Sequence, residues 1–231
     1  MARRAPYPWL APGVVVGAIE ISALAGKFTL LINALSGGLL VPTLLLSALF
    51  LVLLGMGMPT PAVYIMGAAL LAPVLRGVFN LPEMQVHLFM LYFACLSAIT
   101  PPVALANFAA GAIAGVNPMA LGPYAVKLAI GGFILPFYFI FNPGLNMEGS
   151  PLYVLECIGF AVAMVTFASF AMQGFLGSRS IPWPLRFVLI ACAVTTVSPR
   201  FDITLAATLL GASALAFVRL RRNPAKVDRS A

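Results

Sequence analysis

Charged residues divide the chain into apolar segments long enough to cross a membrane. The longest, residues 28–75, contains no Asp, Glu, Lys, Arg or His over 48 positions. A spanning helix needs about 20 apolar residues, so this segment suits two crossings or a hairpin that enters and leaves on one side. Gly55-Met56-Gly57-Met58-Pro59-Thr60-Pro61 interrupts it near the middle. The pattern predicts apolar helices, the longest of them broken.

The lengths of the two arms favour the hairpin. Residues 44–54 and 62–75 are 11 and 14 positions long, which is too short for either arm to span a bilayer alone. Glycine permits backbone conformations that other residues avoid, and proline lacks an amide hydrogen and disfavours a helix at the residue before it. We therefore predict a re-entrant hairpin with its tip at residues 55–60.

A second break lies about one span further on, at Ser97-Ala98-Ile99-Thr100-Pro101-Pro102. Two adjacent prolines disrupt helical hydrogen bonding, so residues 86–116 are predicted to cross as a discontinuous helix. Pro118 and Pro123 then indicate a loop.

The rest of the chain reads as apolar helices separated by turns. Asn142-Pro143-Gly144 is a strong turn signal. The last two apolar segments are short, and they are either two tilted helices or one bent helix. Counting two gives six crossings plus one hairpin, an all-α integral membrane fold. Besides the hairpin and the discontinuous helix, the predicted helical segments are residues 10–35, 124–141, 151–174, 185–197 and 203–218. The predicted divisions of the chain are 1–36, 37–145 and 146–231.

Composition agrees with a membrane protein, because 62% of the 231 residues are hydrophobic and only 8% are charged, against about 25% charged in soluble domains. The net charge of +7 does not form a nucleic-acid surface, since basic residues cluster at the two ends. The positive-inside rule then predicts that both termini are cytoplasmic. These end residues are Arg3, Arg4, Arg219, Arg221, Arg222, Lys226 and Arg229.

The two breaks are the candidate site. Unwound backbone in a bilayer is costly unless it packs in protein or lines an aqueous cavity that holds a ligand. Carbonyls freed at the first break, with the Thr60 hydroxyl, are oxygen ligands of the kind that alkali cations prefer. Ser97 and Thr100 supply hydroxyls at the second break. The alternative at each break is a proline kink that only bends a helix.

Other polar residues give weaker signals. Asn107 follows Thr100 by about two helical turns, and it faces the same cavity or makes an interhelical hydrogen bond. Glu20 is a proton carrier or a structural partner of Lys27, and His87 lies near the start of its helix, at an interface.

No residue set indicates catalysis. The three cysteines, Cys95, Cys157 and Cys192, form no CxxC pair, and one histidine cannot complete a zinc site or a catalytic triad. We expect the cysteines to be small apolar packing residues, and we expect no enzymatic activity.

The chain resembles the large membrane permease subunit of tripartite ATP-independent periplasmic (TRAP) transporters, in the fused-permease branch that works with TAXI-type binding proteins. The resemblance covers about residues 17–145 well and the remainder loosely. The motifs that carry it are Gly55-Met56-Gly57-Met58-Pro59-Thr60, Ala72-Pro73, His87-Leu88-Phe89, Tyr92-Phe93-Ala94, residues 96–106 with Ser97-Ala98-Ile99-Thr100-Pro101-Pro102, Ile113-Ala114-Gly115, Pro136-Phe137 and Asn142-Pro143-Gly144-Leu145.

The resemblance implies an elevator-type secondary transporter that couples sodium to the uptake of an organic acid. In such folds each of two inverted repeats supplies a hairpin and an unwound helix, and this chain contains the second of each. The resemblance thus implies a sodium site and one side of a substrate site. The residues proposed for sodium are Gly55, Gly57, Thr60, Ser97 and Thr100, and those proposed for substrate are Pro59, Pro101 and Asn107.

The resemblance also implies partners and a location. A periplasmic substrate-binding protein, a small membrane subunit or its fused equivalent, and a permease half with the first repeat would complete the transporter in the bacterial inner membrane. We expect sodium as coupling ion and no other cofactor. The chain looks like the C-terminal half of such a permease. A non-transporting membrane subunit or scaffold is the alternative.

Overall fold

The computed structural model describes residues 14, 17, 18, 21–176 and 179–220. Glu20 and most of the basic residues near the two termini lie outside the described residues. The described part is mainly helical, and it divides into two compact units, Met1–Ala125 and Val126–Ala231. Each unit is described by itself.

The first unit contains the predicted hairpin. Its helices are α1 (Leu24–Ser36), α2 (Leu40–Leu54), α3 (Thr60–Gly77), α4 (Glu83–Ser97) and α5 (Leu105–Ala114). The arms α2 and α3 both pack against α4, and α1 packs against α3 and α2. Both arms are longer than predicted. One of them, α3, is 18 residues long and apolar enough to cross a membrane.

Local sequence explains where the helices of the hairpin begin and end. The helix α3 starts directly after Pro59, whose extended backbone precedes the helix, and Pro61 lies in its first turn, where a missing amide hydrogen costs nothing. Glu83 occupies the first turn of α4, where a negative charge is favourable. The core between these helices is formed by large apolar side chains, including Leu44, Leu51, Leu71, Val74, Phe89 and Met90.

Leucines on the outer faces of α1 and α2 are exposed, as expected for lipid contact. Six of them have more than half of their surface accessible, namely Leu30, Leu31, Leu35, Leu45, Leu49 and Leu53. Continuous exposed apolar surface of this kind indicates a membrane or another apolar partner.

Two predictions about the middle of the chain are wrong. Pro118 and Pro123 lie in a helix, α6 (Pro118–Leu128), and not in a loop. Pro118 takes the first helical position, which tolerates proline, and the Asn117 side chain accepts a hydrogen bond from the Met119 amide at 2.9 Å. The second error is the single helix predicted for residues 124–141, because α6 ends at Leu128 and a new helix starts after Ala129.

The second unit is a set of helices around a long central one. Its elements are α7 (Ile130–Phe141), a 3-10 helix (Pro143–Asn146), α8 (Pro151–Gln173), α9 (Trp183–Thr195) and α10 (Phe201–Leu220). The helix α8 packs against the other three. The turn at Asn142-Pro143-Gly144 and the separation of α9 from α10 are as predicted. The core is centred on buried Tyr138, Met164, Phe167 and Leu189.

A short antiparallel hairpin was not predicted. Its strands are β1 (Phe175–Leu176) and β2 (Arg179–Ser180), and they pair Phe175 with Ser180. Gly174, at a φ of 75°, ends α8 and allows the chain to turn into β1.

Three described helices are long and apolar enough to cross a membrane, α3, α8 and α10. The pair α5 and α6 is bent by 111°, and it makes a fourth candidate if it forms one broken span. The predicted total of six crossings is therefore neither reproduced nor excluded by helix length, since a shorter apolar helix can also lie within a bilayer.

Candidate functional site

The first break is a compact turn between α2 and α3. The Gly55 amide donates to the Leu51 carbonyl at 2.9 Å in the last helical bond of α2. The Met58 amide then donates to the Gly55 carbonyl at 3.4 Å. Gly57 has a φ of 88°, which favours glycine. The carbonyls of Gly57 and Met58 accept no backbone hydrogen bond from the described residues.

The second break extends from Ala98 to Ala104, between α4 and α5. The three amides that follow α4 each donate to the carbonyl three residues earlier. The last of these bonds joins the Thr100 amide to the Ser97 carbonyl at 3.2 Å. A bond of 2.9 Å from the Ala106 amide to the Ala98 carbonyl then closes the loop. The intervening Pro101–Pro102 bond is cis. The second break is therefore an ordered loop and not a gentle helix kink.

The two breaks lie against each other. A Cβ placed on Gly55 would overlap the Cβ and hydroxyl of Ser97, so only glycine fits there without a shift. A Cβ placed on Gly57 would lie 4.0 Å from Cγ1 of Val103. Two breaks that share a ligand site must lie close together, and these two do.

The two hydroxyls of the second break donate their hydrogens internally. Ser97 Oγ donates to the Ala94 carbonyl at 2.7 Å, and Thr100 Oγ1 donates to the Leu96 carbonyl at 2.8 Å. Each hydroxyl then presents only oxygen lone pairs to a ligand, which suits a cation. Among the described residues, no group of three or more His, Cys, Asp or Glu side chains could hold a metal ion.

The structure brings some of the predicted site residues together. Gly55 and Ser97 are in contact and buried, whereas Gly57 is exposed and lies nearest to Val103. Pro59 is exposed, and Thr60 and Thr100 are partly buried. Thr100 is joined to Ser97 only through the backbone, by the bond from its amide to the Ser97 carbonyl at 3.2 Å.

Asn107 and Pro101 both lie against α6. A Cβ on Gly122 of α6 would lie 2.6 Å from Pro101 Cγ and 3.7 Å from Asn107 Nδ2. Asn107 is 4% exposed, and its Nδ2 donates to the Ile99 carbonyl at 3.5 Å, a long bond that ties α5 to the loop. Gly122 was missed by the sequence analysis because its position within a predicted loop hid its helical packing.

A polar network joins α3 to α4. Tyr64 Oη and His87 Nδ1 are 2.9 Å apart, His87 Nε2 and Glu83 Oε1 are 3.9 Å apart, and Glu83 Oε2 lies 3.2 Å from Arg76 Nη2. Tyr64 was missed because its partner lies 23 residues away in the chain. Arg76 is exposed and paired with Glu83.

A groove with a volume of about 640 Å³ lies along α3. It is lined mainly by small residues, from Ala68 to Gly77, and it ends at Asn80 and Leu81. None of the predicted site residues lines it.

Comparison with known families supports the assignment that these features suggest. The family model described as "Tripartite ATP-independent periplasmic transporter, DctM component" matches residues 10–148. This match includes both breaks, and it covers more than half of the chain. No curated protein and no solved structure matches the chain. The chain therefore belongs to the family of the DctM component of tripartite ATP-independent periplasmic transporters.

Proposed function

We propose that this chain supplies the second-repeat part of a TRAP permease that couples sodium to the uptake of an organic acid. The observation that carries the proposal is the contact between the two breaks at Gly55 and Ser97, in a member of the DctM family. This family is a transporter component and not an enzyme family. A multi-pass membrane protein of this family requires a route for its cargo, and unwound segments inside a membrane supply ligand sites.

Oxygen chemistry at the breaks supports sodium as the coupling ion. The Gly57 and Met58 carbonyls and the lone pairs of the Ser97 and Thr100 hydroxyls are hard, neutral ligands. Such ligands suit an alkali cation, which carries little charge and exchanges quickly. The Thr60 hydroxyl, at the first position of α3, is the fifth ligand in the proposal. The Met58 carbonyl replaces Gly55 of the predicted set, because the Gly55 carbonyl already accepts the Met58 amide hydrogen at 3.4 Å.

The substrate would contact the same loops from the open side. Pro59 and Pro101 are exposed at the two breaks, and Asn107 provides a buried amide next to Pro101. An organic acid delivered by a periplasmic binding protein, in the TAXI-associated branch, is the proposed cargo. The proposal places both termini in the cytoplasm at the inner membrane. It requires a first repeat and a small membrane component from the rest of the assembly.

Thiol labelling of Cys95 tests the sodium site directly. Cys95 is exposed on α4, two residues before Ser97, whereas Cys157 and Cys192 are buried. In native membranes, we expect sodium chloride to slow the reaction of Cys95 with a maleimide several-fold relative to choline chloride at equal ionic strength.

Matched serine variants make this labelling specific. Ser97→Ala removes a proposed ligand and is expected to abolish the sodium effect. Ser36→Ala removes a buried hydroxyl that also bonds to a backbone carbonyl, at Asn33, but lies on α1 away from the breaks. It should leave the effect intact. Equal labelling in sodium and choline for folded protein would refute the sodium site.

Affinity purification from the native host distinguishes transporter from scaffold. Mild detergent extraction of the tagged chain is expected to recover a polypeptide that carries the first repeat, and the recovered assembly should support sodium-driven uptake. Recovery of the chain with membrane partners unrelated to transport would favour a non-transporting subunit.

A further inference from the structure

A small cavity lies in the second unit, beside the connection between α9 and α10. The end of α7, the start of α8, this connection and the start of α10 surround a volume of about 30 Å³. This is room for one water molecule or one small ion. The polar residues that line it are Tyr138, Asn142, Tyr153, Glu156, Ser198 and Thr204. None of them belongs to the two breaks.

Two lining hydroxyls donate their hydrogens to backbone carbonyls and not to the cavity. Tyr138 Oη donates to the Cys157 carbonyl at 3.1 Å. Thr204 Oγ1 donates its hydrogen to the Ser198 and Arg200 carbonyls, each at 3.0 Å. What both hydroxyls retain for a ligand is oxygen lone pairs.

Asn142 is oriented by the same logic. Its Nδ2 donates to the Val197 carbonyl at 3.1 Å and to the Tyr138 carbonyl at 3.4 Å. Two carbonyl partners require the nitrogen at that position, which leaves Oδ1 as an acceptor. Asn142 is 6% exposed, so this amide is held in a buried setting.

Glu156 adds the one charge in the cavity lining. It lies in the second turn of α8, a helix long and apolar enough to span a membrane, and it is only partly exposed. Its carboxylate makes no ion pair within 4.0 Å in the part of the chain that the structure describes. An acidic residue in a spanning helix is costly unless it serves a partner or a ligand.

We propose that this cavity binds one monovalent alkali cation, with sodium as the expected ion. Acceptor oxygens from Tyr138, Asn142 and Thr204 would coordinate it, and Glu156 would neutralise its charge. An anion would lie beside the negative charge of the Glu156 carboxylate, and a divalent ion would keep an uncompensated charge beside this single carboxylate. The bound ion would tie the turn after α7 to the connection between α9 and α10. The site is separate from the two breaks and does not rest on the proposed transport function.

Thermal unfolding of the purified full chain tests the site. At fixed pH and ionic strength, replacing choline chloride with sodium chloride is expected to raise Tm by several degrees, because an ion that binds only the folded state stabilises it. Glu156→Gln should raise the sodium concentration needed for half of this shift at least tenfold. Glu148→Gln makes the same change in charge at an exposed residue nearby and should behave like the unmodified chain.

An unchanged midpoint in folded Glu156→Gln would assign the sodium-dependent shift to another part of the chain, such as the two breaks, and overturn the proposal. If Glu156→Gln does not fold, carbodiimide labelling of the unmodified chain replaces it. Sodium should lower the adduct at Glu156 at least fivefold relative to choline and leave Glu148 unchanged. Equal labelling of Glu156 in both salts would mean that the cavity holds only water.

Discussion

The two units interrupt their helices in different ways. In the first unit, the breaks leave carbonyls such as those of Gly57 and Met58 without backbone partners among the described residues. In the second unit, side chains bond across the interruptions, as when Asn142 donates to the Val197 carbonyl 55 residues away. Proline and glycine begin both kinds of interruption. What separates an open break from a closed one is whether a polar side chain is placed to bond the freed carbonyls.

Arg186 shows how complete this closure is in the second unit. Its Nε donates to the Ile181 carbonyl at 2.9 Å, and its Nη2 donates to the Gly174 carbonyl at 3.3 Å, across the β1–β2 hairpin. The guanidinium also lies 5.3 Å from the centroid of the Trp183 ring. One side chain thus bonds two carbonyls beyond the end of α8. The Gly57 and Met58 carbonyls at the first break differ from these bonded carbonyls among the described residues, and the proposed ligand-binding role rests on this difference.

The largest expected effect comes from forcing the two breaks apart. Gly55 has a φ of −76°, which alanine adopts without strain, so the cost of Gly55→Ala arises from overlap with Ser97. We expect Gly55→Ala to lower the free energy of unfolding by about 3 kcal/mol, at the upper end of overpacking effects. Denaturation in mixed micelles measures this.

Two variants connect that loss to the contact. Gly26→Ala changes a helical glycine with no atom within 4 Å of the added Cβ, so it should be neutral or slightly stabilising. The double variant Gly55→Ala with Ser97→Gly should recover at least half of the loss. An equally unstable double variant would show that the breaks do not touch.

A smaller effect is expected from opening a closed interruption. Asn142→Leu keeps the side-chain volume similar but removes two donated hydrogen bonds and leaves the Val197 carbonyl without a side-chain donor. We expect a loss of about 2 kcal/mol in the free energy of unfolding, since each net hydrogen bond contributes roughly 1 kcal/mol. Amide exchange should also increase at residues 197–200. Gln173→Leu, at an exposed amide, is the control and should change neither quantity.

Much of this contrast could be predicted from sequence, because backbone breaks depend on local residues. Glycine and proline located the break at residues 55–59 and the turn at Asn142, and the double proline located the second break. The same rule failed at Pro118 and Pro123. There, the first helical position and the Asn117 cap made proline compatible with a helix. A proline therefore indicates a boundary only when its position relative to the helix start is known.

Contacts between distant segments could not be predicted in the same way. The fit of Gly55 against Ser97 joins residues of two helices, and the bond from Asn142 to Val197 spans more than 50 residues. No periodicity in the sequence encodes such pairs, because they depend on how helices pack. The ligand-binding roles of all the predicted site residues remain predictions for the same reason.

The smallest expected effect concerns the hydrogen bond between Tyr64 of α3 and His87 of α4. It tests whether side-chain bonding between helices stabilises the first unit. A double-mutant cycle with Tyr64→Phe and His87→Ala should give a coupling free energy of about 0.6–1.7 kcal/mol, the range for hydrogen bonds between membrane helices. The exposed Arg76–Glu83 pair is the comparison, and its cycle should give roughly 0–1 kcal/mol. The coupling free energy between Tyr64 and His87 should be smaller than that between Gly55 and Ser97. A larger value would show that side-chain bonding stabilises the first unit more than the close fit of its two breaks.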